Sequence, residues 1–165
     1  MSFTKVLSIL ALVSIALWVG GMIALGAIVA PVVFNMVPSP TSADAMTVVF
    51  RRFDKVAVAC IVTVLLTEAV QAFVRRPLGR IDVARMGLTV LGGALVVWQA
   101  TVISPEIEAL HLAGAIRGLG EAGLRLEATH KLAELGGKLQ ALCAVVLIAL
   151  HVSTPAAAPG PRPAA

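Results

Sequence analysis

Apolar residues in this chain come in long, nearly unbroken runs rather than at the three-and-four spacing of a soluble amphipathic helix. Four runs are long enough to cross a bilayer, which takes about 20 helical residues. They cover about 5–34, 54–74, 85–104 and 135–152. The pattern predicts an all-α fold, an integral membrane four-helix bundle occupying residues 1–152. The first run offers the small residues of a cleavage site in GAIVA, but its apolar length far exceeds the roughly 7–15-residue core of a signal peptide. It is read as a retained helix, kinked or closed by Pro31. Pro105 interrupts the third run, and residues 153–165 are expected to form a disordered Pro/Ala tail.

Short connections make neighbouring spans antiparallel. The segments 35–53 and 105–134 then share one side of the membrane, while the N-terminus, the segment 75–84 and the tail share the other. After Pro105 the chain reads PEIEALHLAGAIRGLGEAGLRLEATHKLAELGGK, a helical pattern broken at Gly118 and Gly120. This predicts a helical hairpin whose second arm leads into span four. Glu121–Arg125, Glu127–Lys131 and Glu134–Lys138 stand four residues apart in the favoured order, each worth a few tenths of a kcal/mol on a solvated helix face.

Composition strengthens the membrane assignment. The chain is 59% hydrophobic and 13% charged, against about 45–50% and about 25% for soluble domains. The net charge of +4 fits basic loops beside anionic headgroups, and no basic stripe interleaved with aromatics suggests nucleic acid as a partner. The expected partner is the lipid bilayer. Arg75, Arg76 and Arg80 crowd the shortest loop, so the positive-inside rule puts both termini in the cytoplasm, in a bacterial inner membrane. Small residues in span one, Gly20 with Ala24 and Gly26 with Ala30, suit either a homo-oligomer interface or close packing within the bundle, the second being favoured. Cys60 and Cys143 lie inside apolar runs and read as small buried hydrophobes.

Candidate chemistry is sparse. Glu68 is the only acid inside a span, and a charge at the bilayer centre costs roughly 2.5–3.5 kcal/mol on insertion scales, so it should face a partner. Antiparallel threading brings His151 to its level, and Arg75 and Arg76 are close enough to snorkel back. Glu68 reads either as a proton- or ligand-handling acid or, the favoured reading, as an ion-paired residue that orients its helix. Gln99 and Gln140 enter from the same side at similar depth and are expected to bond across helices.

Two stretches, EALH and EATH, place Glu108 with His111 and Glu127 with His130 one helical turn apart. Facing Glu-x-x-His pairs build di-metal sites in helix bundles. With a turn centred near Leu119, Glu108 would oppose His130 and His111 would oppose Glu127. The alternative is a set of paired surface charges, favoured because the further bridging carboxylates of such a site are missing and no dry shell is evident. No cofactor is the favoured expectation, with a metal or heme as the alternative. His130 and His151 stand about 30 Å apart along span four and cannot share one heme.

An ordered set of short motifs carries a resemblance: Trp18-x-Gly20-Gly21 and Pro31-x-x-Phe34 in span one, Pro105-x-Ile107 after span three, and His130 leading into span four. Together they resemble the four-span membrane family typified by transmembrane protein 205. The chain has Leu126 and Ala133 where that family often carries Phe and Ser. The resemblance implies a transport-associated membrane protein without assigned biochemistry. A looser likeness reaches small membrane bundles that handle copper or heme. No serine triad, nucleotide loop or zinc motif stands in the chain. The expectation is therefore a non-enzymatic bundle that assists transport or organises a partner. The alternatives are a metal- or heme-handling protein using His130 and a proton-coupled small transporter using Glu68.

Overall fold

A computed structural model describes residues 3–74 and 77–153. Arg75, Arg76 and the tail from 154 onward lie outside the described residues, and with them the expected snorkelling of the two arginines and the expected disordered tail. Four long helices make up the fold: α1 (Phe3–Met36), α2 (Thr41–Val74), α3 (Arg80–Leu112) and α4 (Gly120–Ser153). No strand occurs among the described residues. Each helix is about 50 Å long at 1.5 Å per residue, well beyond the hydrocarbon thickness of about 30 Å. All four are long and apolar enough to span a membrane.

Helix α1 packs against α2 and α4, and α3 packs against α2 and α4, so the helices close a four-sided ring of antiparallel neighbours. Ile15, Trp18, Ala57, Ile61, Val64, Val96, Ala144 and Leu147 fill its axis. Within each helix the buried residues recur every three or four positions, as in Ala11, Ser14, Ile15 and Trp18 of α1. The outward positions are large and apolar too, among them Leu17, Leu66, Leu91 and Leu142. Inward and lipid-facing positions thus draw on the same residue types, which is why the sequence shows runs rather than stripes.

Glycines allow the close approaches. A Cβ on Gly92 would stand 3.0 Å from the Trp18 ring, and one on Gly93 would stand 3.2 Å from Ile61. Gly20 and Gly26 differ, since a Cβ there would meet nothing within 4 Å. Gly20 and Gly26 are therefore not packed within the bundle, contrary to the favoured expectation, while Ala24 and Ala30 are half-buried.

Both α1 and α3 pass through a π-helical turn, Ala24–Val29 and Gln99–Ile103, each followed closely by a proline. Ala30 donates its N–H to the Leu25 carbonyl and Ser104 donates to that of Gln99, five residues back. In that register Pro31 and Pro105 fall where the carbonyls of Gly26 and Ala100 would find their donors. The wider turn gives each proline ring room that an α-helix denies it. Neither proline ends its helix. Helix α3 continues to Leu112 and α4 begins at Gly120, so the expected helical hairpin is built from the ends of the spanning helices themselves.

The turn between them uses Gly114, Gly118 and Gly120, with φ of 76°, 79° and 64°. Gly118 donates to the Gly123 carbonyl at 3.0 Å and Gly123 donates to that of Leu119 at 3.2 Å. A Cβ on Gly123 would collide with the Ile116 carbonyl oxygen. Gly123→Ala is expected to destabilise the fold by about 1–3 kcal/mol, the usual range for forced overpacking. A lower thermal unfolding midpoint of the purified protein would register it.

Candidate functional site

The densest buried polar cluster lies at the end of the bundle shared by the α2–α3 connection and the C-terminus of α4. Glu68 sits about 9 Å before the end of α2, Arg85 about 7.5 Å inside the start of α3, and His151 one turn or less from the end of α4. Their side chains are only 4%, 3% and 2% exposed. Arg85 Nε donates to both Glu68 oxygens, at 2.7 and 2.8 Å. Arg85 Nη2 also lies 3.3 Å from Asp82 Oδ1, one turn earlier on α3. His151 Nε2 stands 2.9 Å from Glu68 Oε1, with the ring turned off the ideal N–H direction. Its Nδ1 lies 2.8 Å from the Leu147 carbonyl oxygen.

Beside the cluster, Gln71 is 1% exposed and accepts from Ser8 Oγ of α1 at 3.4 Å, while its Nε2 has no hydrogen-bond partner among the described residues. All four helices therefore meet around Glu68. A charge-assisted network of this kind fixes the rotation and depth of α2, α3 and α4, because sliding one would strand a buried charge. The level shared by Glu68 and His151 agrees with the threading argument. Arg85, which starts span three in the sequence, is the central cation that sequence reasoning passed over.

A second polar node stands at the opposite end, beside the π turn of α3. Arg51 Nη1 donates to the Ala100 carbonyl at 2.8 Å, the group that Pro105 leaves without its helical donor. Its Nε donates to Glu108 Oε2 at 3.1 Å, and its Nη1 is 3.9 Å from Asp54 Oδ2. Asp54 is buried and its other partner is Ser104. Arg51→Met is expected to cost about 1–2 kcal/mol, since it removes a charged donor from a half-buried carbonyl. Pro105→Ala in the same background should recover part of that loss by returning an N–H to the helix. Unfolding of the two variants and their double mutant measures this coupling.

The four Glu-x-x-His residues are not gathered into one constellation. Glu108 is bound by Arg51, and Glu127 by Lys131 at 2.9 Å. His111 and His130 do meet, edge to face, with ring centres 5.9 Å apart. His111 thus faces His130 rather than Glu127, because the turn is a seven-residue segment with its own glycine geometry and not a tight bend at Leu119. Among the described residues no group of three or more His, Cys, Asp or Glu is arranged to hold a metal ion. Arg125 pairs with Glu106 of α3 at 2.7 Å instead of Glu121, and Lys138 pairs with Glu134 at 2.7 Å as the spacing suggested.

Gln99 and Gln140 are not bonded: Gln99 lies beside Gly136, one turn from Gln140 along α4. Gln140 Oε1 accepts from Trp18 Nε1 at 3.3 Å, and its Nε2 reaches the Leu95 carbonyl at 3.5 Å. Gln99 Oε1 is buried without a hydrogen-bond partner among the described residues. The motif residues also divide. Trp18 is wholly buried, Gly21 lies under the Phe53 ring, and Pro105, Ile107 and His130 are half-buried. Gly20, Pro31 and Phe34 are exposed on the outside of the bundle.

Residues 13–115 match the family described as a domain of unknown function, DUF4149. The chain belongs to the DUF4149 family. The matched segment runs from the first third of α1 through α3 to the turn before α4. It holds Trp18, Glu68, Asp82 and Arg85, as well as the Arg51 node, whereas His130, Gln140 and His151 lie beyond it. Comparison with the curated proteins and with the solved structures gives no match.

Proposed function

We propose that this DUF4149 chain is a non-enzymatic membrane bundle that assists transport or organises a partner through its outer faces. The observation supporting this reading is the filled axis. Ile15, Trp18, Val64 and Leu147 are 0% exposed at the centre of the ring, and Ile61 is 1% exposed. Packing of that density leaves a single copy no internal route for a solute. Liposomes carrying this chain alone should show no ion flux above that of empty liposomes. Flux from the purified chain would overturn the reading.

Finer placements go with it. The motifs at Trp18, Gly20, Gly21, Pro31, Phe34, Pro105, Ile107 and His130 support kinship with the four-span group typified by transmembrane protein 205. The basic loop before Arg80 supports a bacterial inner membrane with both termini cytoplasmic. Gly20 and Gly26, open on the outside of α1, suit a homo-oligomer contact, which Gly20→Leu with Gly26→Leu should weaken in membrane cross-linking.

A second reading, metal or heme handling at His130, is favoured by the edge contact between His111 and His130. The visible spectrum and metal content of the detergent-purified protein test it. A heme band or stoichiometric metal, lost in His130→Ala, would support it, and a colourless, metal-free protein would end it.

A further inference from the structure

We propose that Glu68 and His151 form an occluded binding site for one proton, whose occupancy fastens the last turn of α4 to α2 and α3. His151 Nδ1 lies 2.8 Å from the Leu147 carbonyl oxygen. A carbonyl can only accept, so Nδ1 carries hydrogen. In a neutral ring Nε2 is then a bare lone pair. Nε2 would then stand 2.9 Å from the Glu68 carboxylate with no hydrogen to offer it, both groups being almost fully out of solvent. Two acceptors at that distance repel strongly in a medium of low dielectric. One proton between them removes the conflict, whether it is carried as imidazolium against carboxylate or as imidazole against carboxylic acid.

The surrounding charges select the same state. Helix α3 supplies Arg85, which stays cationic, and Asp82. Helix α2 supplies Glu68 and the uncharged Gln71. Helix α1 supplies Ser8, through Gln71, and its one cation, Lys5, is exposed. Among the described buried groups, two carboxylates stand against one guanidinium, a balance that one shared proton brings to neutrality. Loss of the proton would leave a repulsive contact at the closing turn of the bundle, and α4 would loosen there. The site lies within a helical turn or two of the membrane end that carries the α2–α3 connection, so proton exchange belongs to that side.

The test uses the full chain in lipid nanodiscs, with isotope-labelled histidine observed by nitrogen NMR and carboxyl groups observed by infrared spectroscopy. His151→Gln and Glu68→Gln assign the two signals. If His151→Gln does not fold, His111→Gln and His130→Gln assign the ring by elimination. At neutral pH the expected result is an imidazolium at His151 or a protonated acid at Glu68. On raising the pH, the histidine and carboxyl signals should change together, as the loss of one proton. A neutral His151 beside an ionised Glu68 at neutral pH would overturn the proposal, as would independent titration of the two groups.

Discussion

Arg85→Leu is expected to lower the stability of the bundle by about 3–5 kcal/mol, the range seen when one partner of a buried ion pair is removed. The reason lies less in the bonds lost than in the charges left behind. Glu68, 3% exposed, would keep its carboxylate without the guanidinium that both its oxygens accept from. Asp82 would lose the same neighbour at 3.3 Å. Water cannot reach Glu68 without parting α2, α3 and α4. The companion variant separates charge from packing. Glu68→Met with Arg85→Leu removes the core pair together, and well-packed apolar replacements of buried pairs are often neutral. The double variant should therefore sit clearly above Arg85→Leu alone in unfolding midpoint. If the two unfold alike, burial of the charge is not what Arg85 offsets. A replacement by lysine should fall between, because a point charge cannot donate along the carboxylate edge as the planar fork does.

How much of this was legible beforehand depends on whether a property is set by depth or by rotation. Depth along a spanning helix follows from counting residues, so the four spans and the shared level of Glu68 and His151 were readable. The same counting would have found Arg85. Residues 68 and 85 lie almost equally far from Pro77, on opposite arms of an antiparallel pair. Arg85 was passed over because it borders a basic loop and reads as a headgroup anchor. Rotation about the helix axis is different, since inward and lipid-facing positions are equally apolar and leave no stripe to orient a helix. Gln140 turns towards Trp18, while Gln99 lies beside Gly136, one turn away along α4. Gly20 and Gly26 face outward while Gly92 and Gly93 face inward, with no difference in their sequence surroundings to say so. The π turns were hidden for another reason. Proline announces an interrupted hydrogen bond, but whether the helix stops or widens depends on what satisfies the freed carbonyl. At Ala100 the answer is Arg51, a residue on another helix.

Trp18→Ala should be the most damaging single change in α1, at about 3–5 kcal/mol, the usual range for deleting a buried aromatic. The side chain is 0% exposed and lies against Gly92 of α3, where a Cβ would come within 3.0 Å of the ring. It also donates from Nε1 to Gln140 Oε1 of α4 at 3.3 Å. One residue of α1 thus touches both α3 and α4. Its removal opens a cavity on the bundle axis and leaves a buried amide oxygen short of its donor, two penalties that add. Trp18→Phe isolates them. The phenyl ring keeps most of the volume and loses the N–H, so it should cost about 1–2 kcal/mol. In Gln140→Leu that extra cost should shrink, because the unsatisfied acceptor is gone. The complementary change tests the same contact from the other side: Gly92→Val adds bulk where the indole lies and should destabilise unless Trp18 is reduced too. Recovery of Gly92→Val by Trp18→Phe, read from unfolding midpoints of the single and double variants, would show that the glycine is held small by the tryptophan. Independent, additive losses would show that it is not.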